Sequence, residues 1–258
     1  YTINIIDTPG HADFGGEVER VLHMADGAVF LVDAVEGPMP QSYFVLKKAI
    51  AINLPIIVIV NKIDKQAARC EMVVEEVFDM MVKIGAPDSI LDFPVIYAST
   101  KNGYATESLE KEVNRINLVL DKIIDYIPAP SGDPEGPVQM QVCSLSYSTF
   151  LGRLAIGKIT SGRLKINQDV VLATSEGIRF ASRITKLYRF NVDQQVVTES
   201  AETGDIVAVA GFLDIHVGET ITDKDNPIPL PTRMIDPPTI SMNFIPNDSP
   251  FAGTEGQF

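Results

Sequence analysis

Four short apolar runs in the first half of the chain, at residues 2–6, 28–32, 56–60 and 95–98, are continuous rather than alternating. A strand reads this way when both of its faces are covered, as in a parallel sheet with helices on either side. Between the runs lie apolar stripes at helical spacing. Phe14, Val18, Val21, Leu22 and Ala25 form one; Val74, Val77, Phe78 and Met81 another; Ile116, Val119, Leu120, Ile123 and Ile127 a third. Tyr43, Leu46 and Ile50 read as a further core-facing set. The order β-α-β-α-β-α-β-α predicts a doubly wound α/β domain.

At Pro128 the character changes. The stretch 128–137 holds Pro128, Pro130, Pro134 and Pro137 with Gly132 and Gly136, cannot continue a helix, and reads as a linker. Beyond it helical periodicity is weak. Val138, Met140 and Val142 alternate, and 160–163 and 175–177 look like hairpin turns between short strands. Many short strands over about 100 residues predict a closed β-barrel. A second proline-rich stretch, 226–238, ends that domain, and Ile240, Met242 and Phe244 open another strand. The expected organisation is an α/β domain over 1–130, a barrel over 137–235 and the start of a third domain over 238–258. Tyr1 opens directly into an apolar run and the chain ends without a natural stop, so both ends are read as truncations.

The formal net charge is −13 and is unevenly spread. Residues 1–136 carry eleven basic against twenty-one acidic side chains, whereas 137–235 carry ten of each. Binding to nucleic-acid phosphates needs several Lys or Arg contacts, so the first segment is a poor surface for it. The second offers Arg153, Lys158, Arg163, Lys165, Arg179, Arg183, Lys186 and Arg189, expected either to line a basic face or to balance nearby acids. No apolar run approaches the length of a membrane span. Cys70 and Cys143 lack metal-ligand or redox-motif spacing and read as incidental thiols of a reducing compartment. His23 and His216 have no partners at ligand spacing and read as structural.

Three turns carry chemistry. The first run leads into Asp7-Thr8-Pro9-Gly10-His11. A carboxylate at the C-terminal end of a parallel strand stands where open α/β sheets bind ligands, and Asp7 suits a hard cation such as Mg²⁺. Gly10 lets a backbone N–H approach a phosphate, and His11 projects toward the place of an attacking water. The third run leads into Asn61-Lys62-Ile63-Asp64. Asp64 can accept from N1–H and the 2-amino group of guanine, a pair that adenine lacks, so adenine is rejected. Lys62 can lay its stem over the base, and the Asn61 amide can bridge base and loop. The fourth run ends at Ser99-Thr100-Lys101, whose backbone N–H groups can reach the guanine O6. Taken together, three loops after three strands of one sheet predict a guanine-nucleotide site.

These motifs are those of the GTPase superfamily, and Asp-Thr-Pro-Gly-His is the form found in translational GTPases. The stretches 12–22, 32–41, 92–99 and 249–253 resemble the BipA/TypA family, and 152–170 resembles the second-domain barrel shared with elongation factor Tu. The resemblance implies a GTP hydrolase with GTP or GDP and Mg²⁺ as ligands. Its expected partners are the ribosome, through ribosomal RNA and proteins, with neither membrane nor DNA. It implies a cytoplasmic location, or an organellar stroma or matrix, and His11 as the catalytic residue. The alternatives are a ribosome-binding or assembly module using the nucleotide only as a conformational switch, or a translational GTPase of LepA or elongation factor G type. Thr100 stands where the family usually has alanine. No G-x-x-x-x-G-K-[ST] loop and no Mg²⁺-ligating threonine of the first switch occur in the chain; both are expected to precede Tyr1 in an intact protein, leaving the fragment alone inactive.

Overall fold

The computed structural model describes residues 1–8, 15–110, 114–191, 194–231 and 242, the side chains of Gly15, Glu17 and Asn114 excepted. The first part is a five-stranded sheet flanked by helices. Its elements are α1 (Gly15–Leu22), β1 (Ala28–Asp33), α2 (Pro40–Ala51), β2 (Ile56–Asn61), α3 (Cys70–Ile84), the short α4 (Asp88–Leu91), β3 (Val95–Ser99), β4 (Tyr104–Thr106), β5 (Asn114–Arg115) and α5 (Leu118–Tyr126). The strands lie in the order β1-β2-β3-β4-β5, with β1, β2 and β3 parallel and β4 and β5 antiparallel.

The burial of β2, between β1 and β3, follows directly from its residues. All six residues of β2 are buried. Ile56, Val58 and Val60 face a core built with Val18, Leu46, Ile50, Val73, Val77 and Met81, while Ile57 and Ile59 face a second core with Ile96, Ala98 and α5. Burying such side chains stabilises by about 1.5–3 kcal/mol each. Helix α2 starts on Pro40, whose fixed φ suits a first turn, and α3 stops at Gly85, which turns left-handed at φ 88°.

Several expectations need correction. Residues 2–6 form no strand; a strand exists by pairing, among the described residues β1 bonds only β2, and Ile5 is 84% exposed. The sheet is mixed, because the short β4 and β5 fold back beside β3. Tyr43 is 40% exposed while Leu46 and Ile50 are buried, since the core-facing stripe of α2 passes through Leu46, Ala49 and Ile50. In α3 the buried stripe is Cys70, Val73, Val77 and Met81, which turns Phe78 outward. Ile116 precedes α5, and Leu120 is exposed on it. Phe14 lies outside the described residues.

The second part is antiparallel. Its strands are β6 (Gln139–Gln141), β7 (Ser144–Ser148), β8 (Gly152–Ser161), β9 (Arg163–Lys165), β10 (Asp169–Thr174), β11 (Gly177–Arg183), β12 (Lys186–Asn191), β13 (Gln194–Val197), β14 (Ser200–Glu202), β15 (Ile206–Ala210) and β16 (Thr220–Asp223). Nine form one curled sheet, ordered β11-β10-β16-β6-β8-β15-β12-β13 with β7 beside β8, and β9 pairs β14. One core fills the curl: Met140, Ile159, Leu172, Leu187, Val209 and Ile221 come from six strands. The sheet curls around that core as in a β-barrel, and among the described residues its end strands β11 and β13 share no ladder. The turn at Ser175 and Glu176 joins a true hairpin, β10 to β11. The turn at Gly162 (φ 73°) instead hands the chain to β9, which leaves β8 for β14.

The proline-rich linker is held against the barrel. The Asp133 carbonyl accepts from the Gly162 N–H at 2.8 Å and the Ser161 hydroxyl at 3.2 Å. Lys158 on β8 pairs with Asp26, just before β1, at 2.5 Å, joining the two parts. On the far side, Gln139 and Gln141 amides donate to the carbonyls of Ile228 and Pro231, pinning the second proline-rich stretch. The strand expected at 240–244 lies outside the described residues except for Met242.

Candidate nucleotide site

The register of the parallel strands brings the polar turns together. Asp33 is the partner of Asn61 across β1 and β2, and Asn61 is the partner of Ala98 across β2 and β3. Three strands therefore end side by side, and their next residues form one polar rim where open α/β sheets bind ligands.

Asn61 and Thr100 are locked to each other. The Thr100 N–H donates to Asn61 Oδ1 at 3.2 Å, and the Asn61 Nδ2 donates to Thr100 Oγ1 at 3.2 Å. Asn61 is 8% exposed and Ser99 fully buried, so both need internal partners. Ser99 finds its partner in Asp64: its hydroxyl donates to Asp64 Oδ1 at 2.6 Å. That bond holds the Asp64 carboxyl below the usual carboxylate range, which keeps it an acceptor. Its orientation is fixed without consuming its second oxygen, and a base offering two donors would find one oxygen placed and one free to accept.

Lys62 sits in the left-handed region at φ 64°, a conformation that costs a non-glycine residue free energy and persists where neighbours impose it. Asp33 is that neighbour. Its carboxylate accepts from Lys62 Nζ at 2.5 Å and from the N–H of Val35 at 2.8 Å and lies 3.6 Å from Lys65 Nζ. The Lys62 hydrogen bond above all, helped by the backbone N–H groups of Val35 and Glu36, brings the Asp33 pKa down to about 2 against some desolvation. The same bond raises the Lys62 pKa. The loop after β1 is held from its other side by Arg69, which donates to the carbonyls of Val35 and Glu36 and pairs with Glu76.

Of the residues expected from sequence, Asn61, Lys62, Asp64, Ser99 and Thr100 are thus gathered at one rim. Asp7 is exposed and, among the described residues, shares no hydrogen bond or ion pair with them. Gly10 and His11 lie outside the described residues. Among the described residues no group of three or more His, Cys, Asp or Glu is arranged to hold a metal. A single carboxylate still fits Mg²⁺ bound with nucleotide phosphates, because that ion keeps waters and phosphate oxygens and takes only one or two protein carboxylates. Asp33 and Arg69 were not singled out by sequence. The signal for Asp33 was available: it is a carboxylate at the end of a parallel strand, the criterion that picked out Asp7.

Among the described residues the arginines of the barrel are paired with acids, while Lys165 and Lys186 are exposed. Arg153 pairs with Asp214 at 3.2 Å, Arg163 with Glu202 at 3.2 Å, Arg183 with Asp169 at 2.7 Å and Arg189 with Asp205 at 2.5 Å. Arg179 pairs with Asp214 and with the buried Glu219. His216 joins that cluster, its Nδ1 2.8 Å from Arg179 Nη1, as a structural histidine.

Comparison with known proteins agrees with this geometry. Residues 1–129 match the elongation factor Tu GTP binding domain, and residues 152–222 match elongation factor Tu domain 2. Curated relatives named "Large ribosomal subunit assembly factor BipA" align over almost the whole chain. The one from Bacillus subtilis (strain 168) is 47% identical over 256 residues, 99% of this chain and 42% of its own length. That from Synechocystis is 48% identical over 256 residues, 99% of this chain and 43% of the relative. That from Escherichia coli (strain K12) is 45% identical over 258 residues, 100% of this chain and 42% of the relative. The chain therefore spans less than half the length of the curated relatives it matches. With an α/β domain and a barrel both matched in order along the chain, it belongs to the elongation factor Tu GTP-binding domain family, with BipA as the branch it resembles throughout.

Proposed function

We propose that the full-length protein is a translational GTPase of BipA type that binds guanine nucleotide at the ends of β2 and β3 and hydrolyses GTP to GDP and phosphate on the ribosome. The observation that carries this reading is the interlocked set of Asn61 with Thr100 and Asp64 with Ser99 on adjacent parallel strands. Asp64 supplies the guanine discrimination, and Lys62, held by Asp33, lies beside it. Asp7 and Gly10 take the Mg²⁺ and phosphate side, and His11 orients the attacking water. Residues 1–130 form the nucleotide domain, 137–235 the barrel, and 238 onward a further domain. The location in this reading is the cytoplasm or an organellar matrix.

Hydrolysis of this class depends mainly on positioning and charge, and an activator is worth on the order of 10⁵ in rate, or about 7 kcal/mol of barrier. His11→Ala in the full-length protein is expected to leave GDP affinity nearly unchanged and to abolish ribosome-stimulated turnover. Stimulation that survives the substitution would remove His11 from the mechanism.

A second reading is favoured by the name of the relatives, which are described as assembly factors for the large ribosomal subunit. On that reading the nucleotide switches conformation during assembly and turnover is incidental. Single-turnover hydrolysis with ribosomes or with large-subunit precursors separates the two.

A further inference from the structure

One lysine at the rim is held at both ends. At its backbone, Lys62 stands in the left-handed region at φ 64°, which sets the direction in which its side chain leaves the turn. At its tip, Nζ donates to Asp33 Oδ2 at 2.5 Å. Although the ammonium is engaged, the side chain is 49% exposed, which leaves stem methylenes open at the rim. Asp33 is itself anchored. Its other oxygen accepts from the N–H of Val35 at 2.8 Å and of Glu36 at 3.4 Å, and its side chain is only 12% exposed. The loop that carries it is fixed in turn, because Arg69 donates to the carbonyls of Val35 and Glu36. The tether on Lys62 therefore reaches back to the start of α3.

A free lysine stem samples many rotamers, and a ligand that packs on it must first order them. Here the ordering is done before any ligand arrives. We propose that Asp33 is a positioning residue for nucleotide binding: by holding the Lys62 ammonium it presents the stem as a fixed apolar surface for the face of the purine base. Strand register gives Asp33 the reach, since it stands opposite Asn61 across β1 and β2, one residue before Lys62. Charge gives it the grip, since its carboxyl, held at about 2, is ionised throughout the neutral range. Lys65 Nζ lies 3.6 Å from the same oxygen and supplies a second counter-charge. The inference rests on the guanine-nucleotide reading and adds to it a residue on β1, outside the three turns singled out by sequence.

The test is equilibrium titration of the full-length protein with fluorescently labelled GDP, in the parent, Asp33→Asn, Lys62→Met and the double variant. Asn keeps the volume and can still accept from the Val35 N–H, and Met keeps an unbranched stem without the ammonium. Having to immobilise one rotamer-rich side chain on binding predicts affinity about two- to tenfold weaker for Asp33→Asn. Lys62→Met is expected to lose a similar factor, and the double variant to bind no more weakly than Lys62→Met alone. That non-additivity marks action through Lys62, since a general loosening of the fold would add its loss in either background. Either single variant binding GDP as tightly as the parent, or losses that multiply in the double variant, would overturn the inference while leaving guanine binding intact. A parent protein that binds no GDP would overturn the guanine reading and this inference with it.

Discussion

Asp33 is where charge, backbone strain and strand register meet, so its removal should have a measurable and pH-dependent cost. Asn is the informative substitution: it fills the same space and can still accept from the Val35 N–H, but it leaves Lys62 without its counter-charge. The carboxyl falls from 3.8 to about 2 on folding, with the Lys62 hydrogen bond as the largest cause. A shift of that size corresponds to about 2.5 kcal/mol, and solvent screening around the half-exposed Lys62 reduces the expected effect to about 1–2 kcal/mol. The sign follows from the lowered pKa: the stabilisation is complete above the unfolded value and is lost as pH falls through the folded one. Urea unfolding of parent and Asp33→Asn proteins should therefore differ by a constant amount from about pH 7 to about pH 5. The difference should shrink below about pH 4 and be nearly gone near pH 2. A difference that is absent at neutral pH, or that persists undiminished at about pH 3, would refute the reasoning.

Two further outcomes follow from ion pairs elsewhere. Arg179→Met leaves the buried Glu219 carboxylate with the His216 N–H but without its guanidinium partner and should lower the melting temperature, with Glu219→Gln in the same protein recovering part of the loss. Lys158 and Asp26 join the barrel to the end of the α1 segment, and a double-mutant cycle with alanine at both should return a coupling of about 0.5–2 kcal/mol, against nothing if the pair is incidental.

The polar rim was legible because its signals are local. A continuous apolar run followed by Asn61-Lys62-Ile63-Asp64 fixes both the strand and what stands at its end, and β2 is indeed an internal strand with all six residues buried. What escaped the sequence depends on partners distant along the chain. Residues 2–6 look like a strand in isolation, yet pairing decides, and none is made. Phe78 fits a helical stripe with Val74, Val77 and Met81, but the buried stripe of α3 is centred on Cys70, Val73, Val77 and Met81, which turns Phe78 outward. The arginines of the barrel gave no sign of their pairing because Arg153 meets Asp214 and Arg189 meets Asp205 only after the strands have curled together. Asp33 differs from these, because its place at the C-terminal end of a parallel strand is a local signal like that of Asn61.

The parallel register explains why so few residues can define the rim. With Asp33 opposite Asn61 and Asn61 opposite Ala98, the side chains that follow emerge at one level, and each loop satisfies a polar group of the next. Asp33 holds Lys62, Thr100 holds Asn61, and Ser99 holds Asp64. A slip of one residue between β2 and β3 would turn every side chain of one strand to the opposite face and break all the contacts between the second and third loops at once. The apolar burial that fixes the register, Ile56 to Val60 on both faces of β2, is therefore also what fixes the groups proposed to bind the base. On the proposed reading selectivity is a property of the core as much as of the loops, and substitutions in β2 that preserve stability but loosen packing should blur it.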